Sequence, residues 1–179
     1  QPIKHIVIVK KILFMLLILA VAFVSCHKDN GELSGDDIIQ FKDENFLKAL
    51  LVVQEIEIRD ENSDEFIPYT VDIDENRDGQ ISYYEAKNVK GLALYDSETY
   101  ELFTVTDVSE IKNFTGLTYL SCGEGNKLTS LDVSSNIALT GLYCNNNQLT
   151  SLTISSSQQN ALWMNDVKAE YPDIEIIVK

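Results

Sequence analysis

Residues 117–138 read LTYLSCGEGNKLTSLDVSSNIA, and residues 139–159 read LTGLYCNNNQLTSLTISSSQQ. Laid over one another, Leu117, Leu120 and Cys122 fall on Leu139, Leu142 and Cys144 at an offset of 22. Leu128, Leu131 and Val133 fall on Leu149, Leu152 and Ile154 at an offset of 21. The slip of one residue lies where GEGNK stands against NNNQ. Units of this length that repeat their apolar positions cannot bury an edge alone, and stacking them makes a continuous core. Leu120 and Cys122 alternate around Ser121, and Leu142 and Cys144 around Tyr143, so each Leu/Cys pair faces inward on a short strand. Asn147 falls where the chain turns, and its side-chain amide is expected to bond backbone groups that the turn leaves free. Asn126 has the same part in the first unit. The two Cys occupy matching positions on neighbouring strands, about 4.8 Å apart. Parallel Cβ directions make a poor disulfide torsion, so two buried thiols acting as small apolar residues are expected.

Two such units are too few to stand alone, so both ends need caps. Upstream, Val105, Val108, Ile111, Phe114 and Leu117 are spaced as a degenerate preceding rung, opened by a strand at Leu92 and Leu94. Downstream, a helix is expected from about 159 to 170, stopped by Tyr171-Pro172. Ile174, Ile176 and Val178 then alternate as a final strand, and Trp163 is expected to cover the end of the stack. Nearer the start, Asp43 can cap a helix whose apolar stripe is Phe46, Leu47, Leu50 and Leu51. Residues 58–66 (IRDENSDEF) read as an acidic loop. A second short helix ends near Lys90-Gly91, with Gly91 suited to the position just past a helix end.

Between those helices lies DENRDGQISYYE, residues 74–85. It fits the twelve-residue EF-hand loop slot by slot. Asp74, Asn76 and Asp78 stand at positions 1, 3 and 5. Gly79 is at the sharp turn, Gln80 offers its carbonyl at 7, Ile81 is the apolar residue at 8, Ser82 is at 9, and Glu85 closes the loop at 12. The loop therefore predicts a Ca2+ site formed by Asp74, Asn76, Asp78, Gln80, Ser82 and Glu85. The competing reading is a turn whose side chains bond only their own backbone. A near copy at Asp60, Asn62 and Asp64 has Glu65 for the Gly and Val71 for the closing Glu, and is not a site. A single loop suits a weak structural ion of extracellular type better than a sensor.

Residues 1–25 stand apart. Lys4, Lys10 and Lys11 precede thirteen apolar residues, Ile12 to Val24. That is too short to cross a hydrocarbon core of ~30 Å, which takes about 20 residues, and it has the layout of a secretory signal peptide. Residues 26–37 then read as a polar tether. Without Lys4, Lys10 and Lys11 the 14 basic residues fall to 11 against 28 acidic ones, net −17. Such a charge disfavours nucleic acid and makes a cation the natural small partner. His27 is the single His beyond the signal segment, and no nucleophile motif or phosphate loop is evident, so no enzyme is expected.

The end of the signal segment, Val24-Ser25-Cys26, resembles a bacterial lipobox, although Phe23 stands where Leu is usual. The resemblance implies lipid on Cys26, hence membrane anchorage in the cell envelope, at the outer membrane or cell surface. The stretch LTGLYCNNNQL resembles the leucine-rich repeat signature. With the loop in front, residues 38–179 resemble bacterial leucine-rich repeat surface lipoproteins with internalin-like repeats. The expected fold is therefore α+β: a helical EF-hand-like cap over 38–91, a short leucine-rich repeat solenoid over 92–158, and a helix-plus-strand cap over 159–179. The resemblance implies a non-enzymatic module that binds a protein or other surface ligand, and a monomer is expected. Its candidate face is Tyr119, Ser121, Tyr143 and Asn145, which lie between the inward positions. A small structural lipoprotein without a ligand is the alternative, and a hydrolase using paired carboxylates the remote one.

Overall fold

The two alignment offsets return as the registers of two different parallel sheets. A computed structural model describes residues 37–52, 54–59, 66–94, 103–123 and 125–179, with the backbone alone for 54–59 and 66–70. In chain order the elements are α1 (Glu44–Leu50), β1 (Gln54–Arg59), β2 (Phe66–Val71), α2 (Tyr83–Asn88), β3 (Gly91–Ala93), a 3-10 turn (Ser109–Asn113), β4 (Tyr119–Ser121), β5 (Ser130–Asp132), β6 (Gly141–Tyr143), β7 (Ser151–Ile154), a 3-10 turn (Ser156–Gln158), α3 (Trp163–Glu170) and β8 (Glu175–Val178). The fold is thus mixed helix and strand. One sheet runs β3-β4-β6 and the other β5-β7-β8, both parallel. Leu120 pairs with Leu142 at the offset of 22, and Leu131 with Leu152 at the offset of 21. Each unit thus gives one strand to each sheet, the second being Ser130–Asp132 or Ser151–Ile154.

Burial follows the alternation. Leu120, Cys122, Leu142 and Cys144 are buried, while Tyr143 is 47% exposed. Val105, Val108, Ile111, Phe114 and Leu117 are all buried beneath the first unit, and β3 supplies the strand ahead of β4. One apolar cluster runs unbroken from Ile39, Phe46 and Leu50 through Leu120 and Leu152 to Trp163 and Val167. The helices, the two sheets and the C-terminal segment are therefore held by the same burial, worth about 25 cal/mol per Å2 of apolar surface.

Side-chain amides tie the neighbouring units together. Asn147 Nδ2 donates to the carbonyls of Cys122 (2.9 Å) and Cys144 (3.0 Å), and its Oδ1 accepts from Leu128 N–H (3.0 Å). Asn126 Nδ2 donates to Cys122 and Gly123, and its Oδ1 accepts from Val105 N–H. A second series lies at the other turn. Asn136 Nδ2 donates to Ile111 and Phe114, and 22 residues on Gln158 Nε2 donates to Val133 and Asn136. Each series ends on an aromatic donor: Tyr171 Oη–H to Cys144 O (2.8 Å) and Trp163 Nε1–H to Leu139 O (3.2 Å). These bonds satisfy carbonyls that turns leave unpaired inside the core.

Four details differ from the sequence reading. The front segment contains an antiparallel hairpin, β1 with β2, pairing Gln54 with Val71 and Arg59 with Phe66. Ile58, Arg59 and Phe66 of the expected loop are therefore strand residues; 60–65, with the near copy of the calcium loop, lie outside the described residues. α2 stops at Asn88, and Gly91 opens β3 instead of closing a helix. α3 begins at Trp163, because Ser155 and Gln158 form a capping box around a separate 3-10 turn. Ile174 lies just ahead of β8 and is half-buried like Ile176, but Val178 is 47% exposed.

Two contacts fasten the front segment to the first rung. Asp43 caps α1 with Oδ1, accepting from Asn45 and Phe46 N–H. Its Oδ2 accepts from Thr106 N–H (2.7 Å), Thr106 Oγ1–H (2.9 Å) and Asp107 N–H (3.1 Å). Gly116 passes so close to α2 that a Cβ there would overlap the Lys87 carbonyl oxygen. Only glycine allows that approach.

Candidate functional site

The loop at 74–85 hangs between β2 and α2. Asp74 is buried, and its two oxygens accept from the N–H groups of Asp78 and Gly79, each at 3.0 Å. Asn76 Oδ1 accepts from Asp78 N–H (2.9 Å), and Asp78 Oδ1 from Gln80 N–H (2.8 Å). Gly79 takes φ +79° and Arg77 φ +60°, which turn the chain sharply around Asp74. Gln80 is half-buried and Ile81 is wholly buried. Ile81 O accepts from Ile39 N–H, Asp37 O accepts from Tyr83 N–H, and Ile38 bridges Ser82. The short extended part of the loop is thus held by residues 37–39 of the same chain. Ser82 caps α2, and Glu85 completes a capping box, its Oε2 accepting from Ser82 N–H and Oγ–H, both at 2.8 Å.

The donor set is all oxygen, with three carboxylates and an amide, which suits a hard cation such as Ca2+. Burial pushes the Asp74 carboxyl up; the Gly79 and Asp78 N–H groups oppose this, and the charges of Asp78 and Glu85 add to it. A divalent cation would relieve that repulsion. The loop's own groups meanwhile engage much of the set. Asn76 Nδ2 donates to Asp78 Oδ2 (3.1 Å), and Ser82 holds Glu85. Among the described residues, no three His, Cys, Asp or Glu side chains gather as a ligand cluster.

The expected binding face lies on the sheet β3-β4-β6. Tyr119 and Tyr143 stack at 5.5 Å between ring centroids with a 42° tilt. The Tyr119 ring lies over Gly141, where a Cβ would come within 3.0 Å of it. Ser121 and Asn145 are half-exposed beside the rings. The structure therefore brings Tyr119 and Tyr143 into one aromatic patch, with Ser121 and Asn145 at its border.

Both thiols are buried and unpaired. Burial, with Glu170 nearby, pushes the Cys144 thiol up to about 12, and burial beside Cys144 pushes Cys122 well above the ordinary value. Neither can act as a thiolate nucleophile near neutral pH. Asn136 and Gln158 had no part in the sequence reading, and Tyr171 entered it only as the stop of the C-terminal helix. The one signal for them was the pair of amides, Asn136 and Gln158, standing 22 residues apart. Cys26 and the expected signal segment lie outside the described residues, and among the described residues no helix is long and apolar enough to cross a membrane. Set against protein-family models, curated proteins and solved structures, the chain finds no match in any of the three.

Proposed function

We propose that this chain is a lipid-anchored, extracytoplasmic leucine-rich repeat protein that binds a protein or other surface ligand and carries one structural Ca2+. The observation that carries the reading is the stack itself: parallel strands in register at offsets of 22 and 21, stitched by Asn126 and Asn147. A solenoid of such rungs presents its outward strand residues as a rigid face. The Tyr119–Tyr143 patch on that face supports the binding role, since Tyr offers large contact area at small entropic cost. Cys26 would hold the lipid, and residues 26–37 would space the folded part from the membrane.

Asp74, Asn76, Asp78, the Gln80 carbonyl, Ser82 and Glu85 would hold the Ca2+. The ion would tie β2 to α2 and so brace the end of the stack. Its role is charge neutralisation, not chemistry. The size of the face favours a second reading: two or three short rungs fall below the ~1,000 Å2 of a standard interface, as a structural lipoprotein without a ligand would. The two are separated by retaining envelope components on the immobilised chain, with and without calcium, and on its Tyr143→Ala variant. The binding reading expects a component held by the parent and lost from the variant. Retention of no component by either chain would leave the structural reading, and equal retention by both would place the binding away from Tyr143.

A further inference from the structure

We infer that the outer edge of β8 is a dimer interface, on which a second copy of this chain adds its own β8 in antiparallel register centred on Ile177. β8 is the last strand of its sheet, and no described strand pairs with its outer side. Glu175 N–H bonds Thr150 O, Lys179 N–H bonds Ile154 O, and Lys179 O accepts from Ser156 N–H. Residues 175, 177 and 179 therefore direct their backbone groups toward β7. By the alternation of a strand, the N–H and C=O groups of Ile176 and Val178 point to the open edge. An open parallel edge of this kind templates further pairing unless something blunts it. Here Ile177 is 39% and Val178 47% exposed, with no Pro or bulge in the strand.

The sequence of the strand selects the partner. In an antiparallel pair centred on Ile177, Glu175 stands opposite Lys179 of the second copy, Ile176 opposite Val178, and Ile177 opposite itself. Ile176 and Val178, which carry the free backbone groups, then fall at a hydrogen-bonded pair and exchange both bonds, twice over by symmetry. Every side-chain pairing is apolar with apolar or acid with base. Such self-complementarity is what an isologous interface requires. Lys179 already lies 2.7 Å from Asp132 Oδ2, but that pair is exposed and weak, and an ammonium has three donors to share. A single strand pair buries little area, so the association is of the weak class and needs protein at about 100 µM or crowding on a surface. It departs from the monomer expected from sequence, and it does not depend on the proposed ligand or calcium.

The test is disulfide trapping on the full chain in detergent. Ile177 falls at a non-hydrogen-bonded pair, about 4.5 Å from its symmetry mate between Cα atoms, within bridging range. Ile177→Cys should give about tenfold more cross-linked dimer than the parent chain under mild oxidation. Glu175→Cys should give no more than the parent, because its mates lie about 13 Å apart along the paired strands. Adding Glu175→Lys to Ile177→Cys places like charges opposite one another twice, and should cut the trapping about tenfold. Trapping of Ile177→Cys at the parent level, or equal trapping at 175 and 177, would overturn the proposal. Far-ultraviolet dichroism shows that each variant is folded, which the exposure of both positions leads us to expect.

Discussion

Replacing Asn147 by Ala removes the amide that joins two rungs. Three bonds of 3.0 Å or less are lost, to Cys122 O, Cys144 O and from Leu128 N–H. Each contributes about 0.5–1.5 kcal/mol net, and leaving a buried partner unsatisfied adds about 1–3 kcal/mol. Leu128 is wholly buried, so its N–H has no easy substitute, whereas Asn147 itself is half-exposed and water can reach part of the gap. The expected loss is about 2–4 kcal/mol, which in a domain of this size lowers the melting temperature by about 4–16 °C. Urea unfolding followed by the fluorescence of the single Trp, the buried Trp163, measures it directly. Asn145→Ala is the control, because among the described residues no side-chain hydrogen bond from Asn145 crosses to the neighbouring unit. It should stay within about 0.5 kcal/mol of the parent. An Asn147→Ala chain as stable as the control would refute the claim that side-chain amides hold the neighbouring units together.

Other outcomes follow from the contacts at the front of the stack. Burial alone would raise the Asp43 carboxyl, but hydrogen bonds from Thr106, Asn45 and Asp107 outweigh it and hold it below its ordinary value of 3.8. Its contribution is therefore fully present above pH 3.8 and is lost as the pH falls through the lower folded value. Acid titration of stability should show that loss in the parent, and Asp43→Asn should remove it while costing about 1–3 kcal/mol at pH 7. Gly116→Ala should destabilise by more than about 2 kcal/mol in the same urea experiment, because the new Cβ meets backbone that cannot move aside. Thiol titration should find Cys122 and Cys144 unreactive in the folded chain at pH 8 and both reactive in denaturant.

The parallel strand pairing was legible in the sequence because its strongest constraint is periodic. Leu120, Leu142, Leu131 and Leu152 must each fill the same slot one rung apart, so their spacing survives in the chain as an offset. Asn126 and Asn147 were legible for the same reason, since a turn of fixed shape needs its amide at a fixed place. The second sheet was less so, because β5 and β7 are only three and four residues long and their outward Ser, Thr and Asp are also loop residues. The hairpin was hidden by composition. β1 alternates Glu with Ile, a strand signal that went unread because its last residues fall in the expected acidic loop 58–66, and β2 contains Pro68, which argues against a central strand. In a two-stranded ribbon both strands are edges, so Pro68 is tolerated opposite Glu57. Asn136 and Gln158 went unread because their partners lie in the preceding rung, 22 to 25 residues away. The loop at 74–85 was legible as a motif. What the sequence could not convey is how far Ser82 and the loop's own N–H groups already occupy its carboxylates.

In the proposed reading one Ca2+ ion would join that loop to the rest of the fold, and a calcium titration of thermal unfolding tests the join most directly. With a dissociation constant near 1 mM, as in extracellular sites, 10 mM calcium should add about 1.4 kcal/mol, or about 3–6 °C in one cooperative transition. Asp74→Ala with Glu85→Ala should abolish the gain. Superimposable melting curves in calcium and in chelator would contradict it.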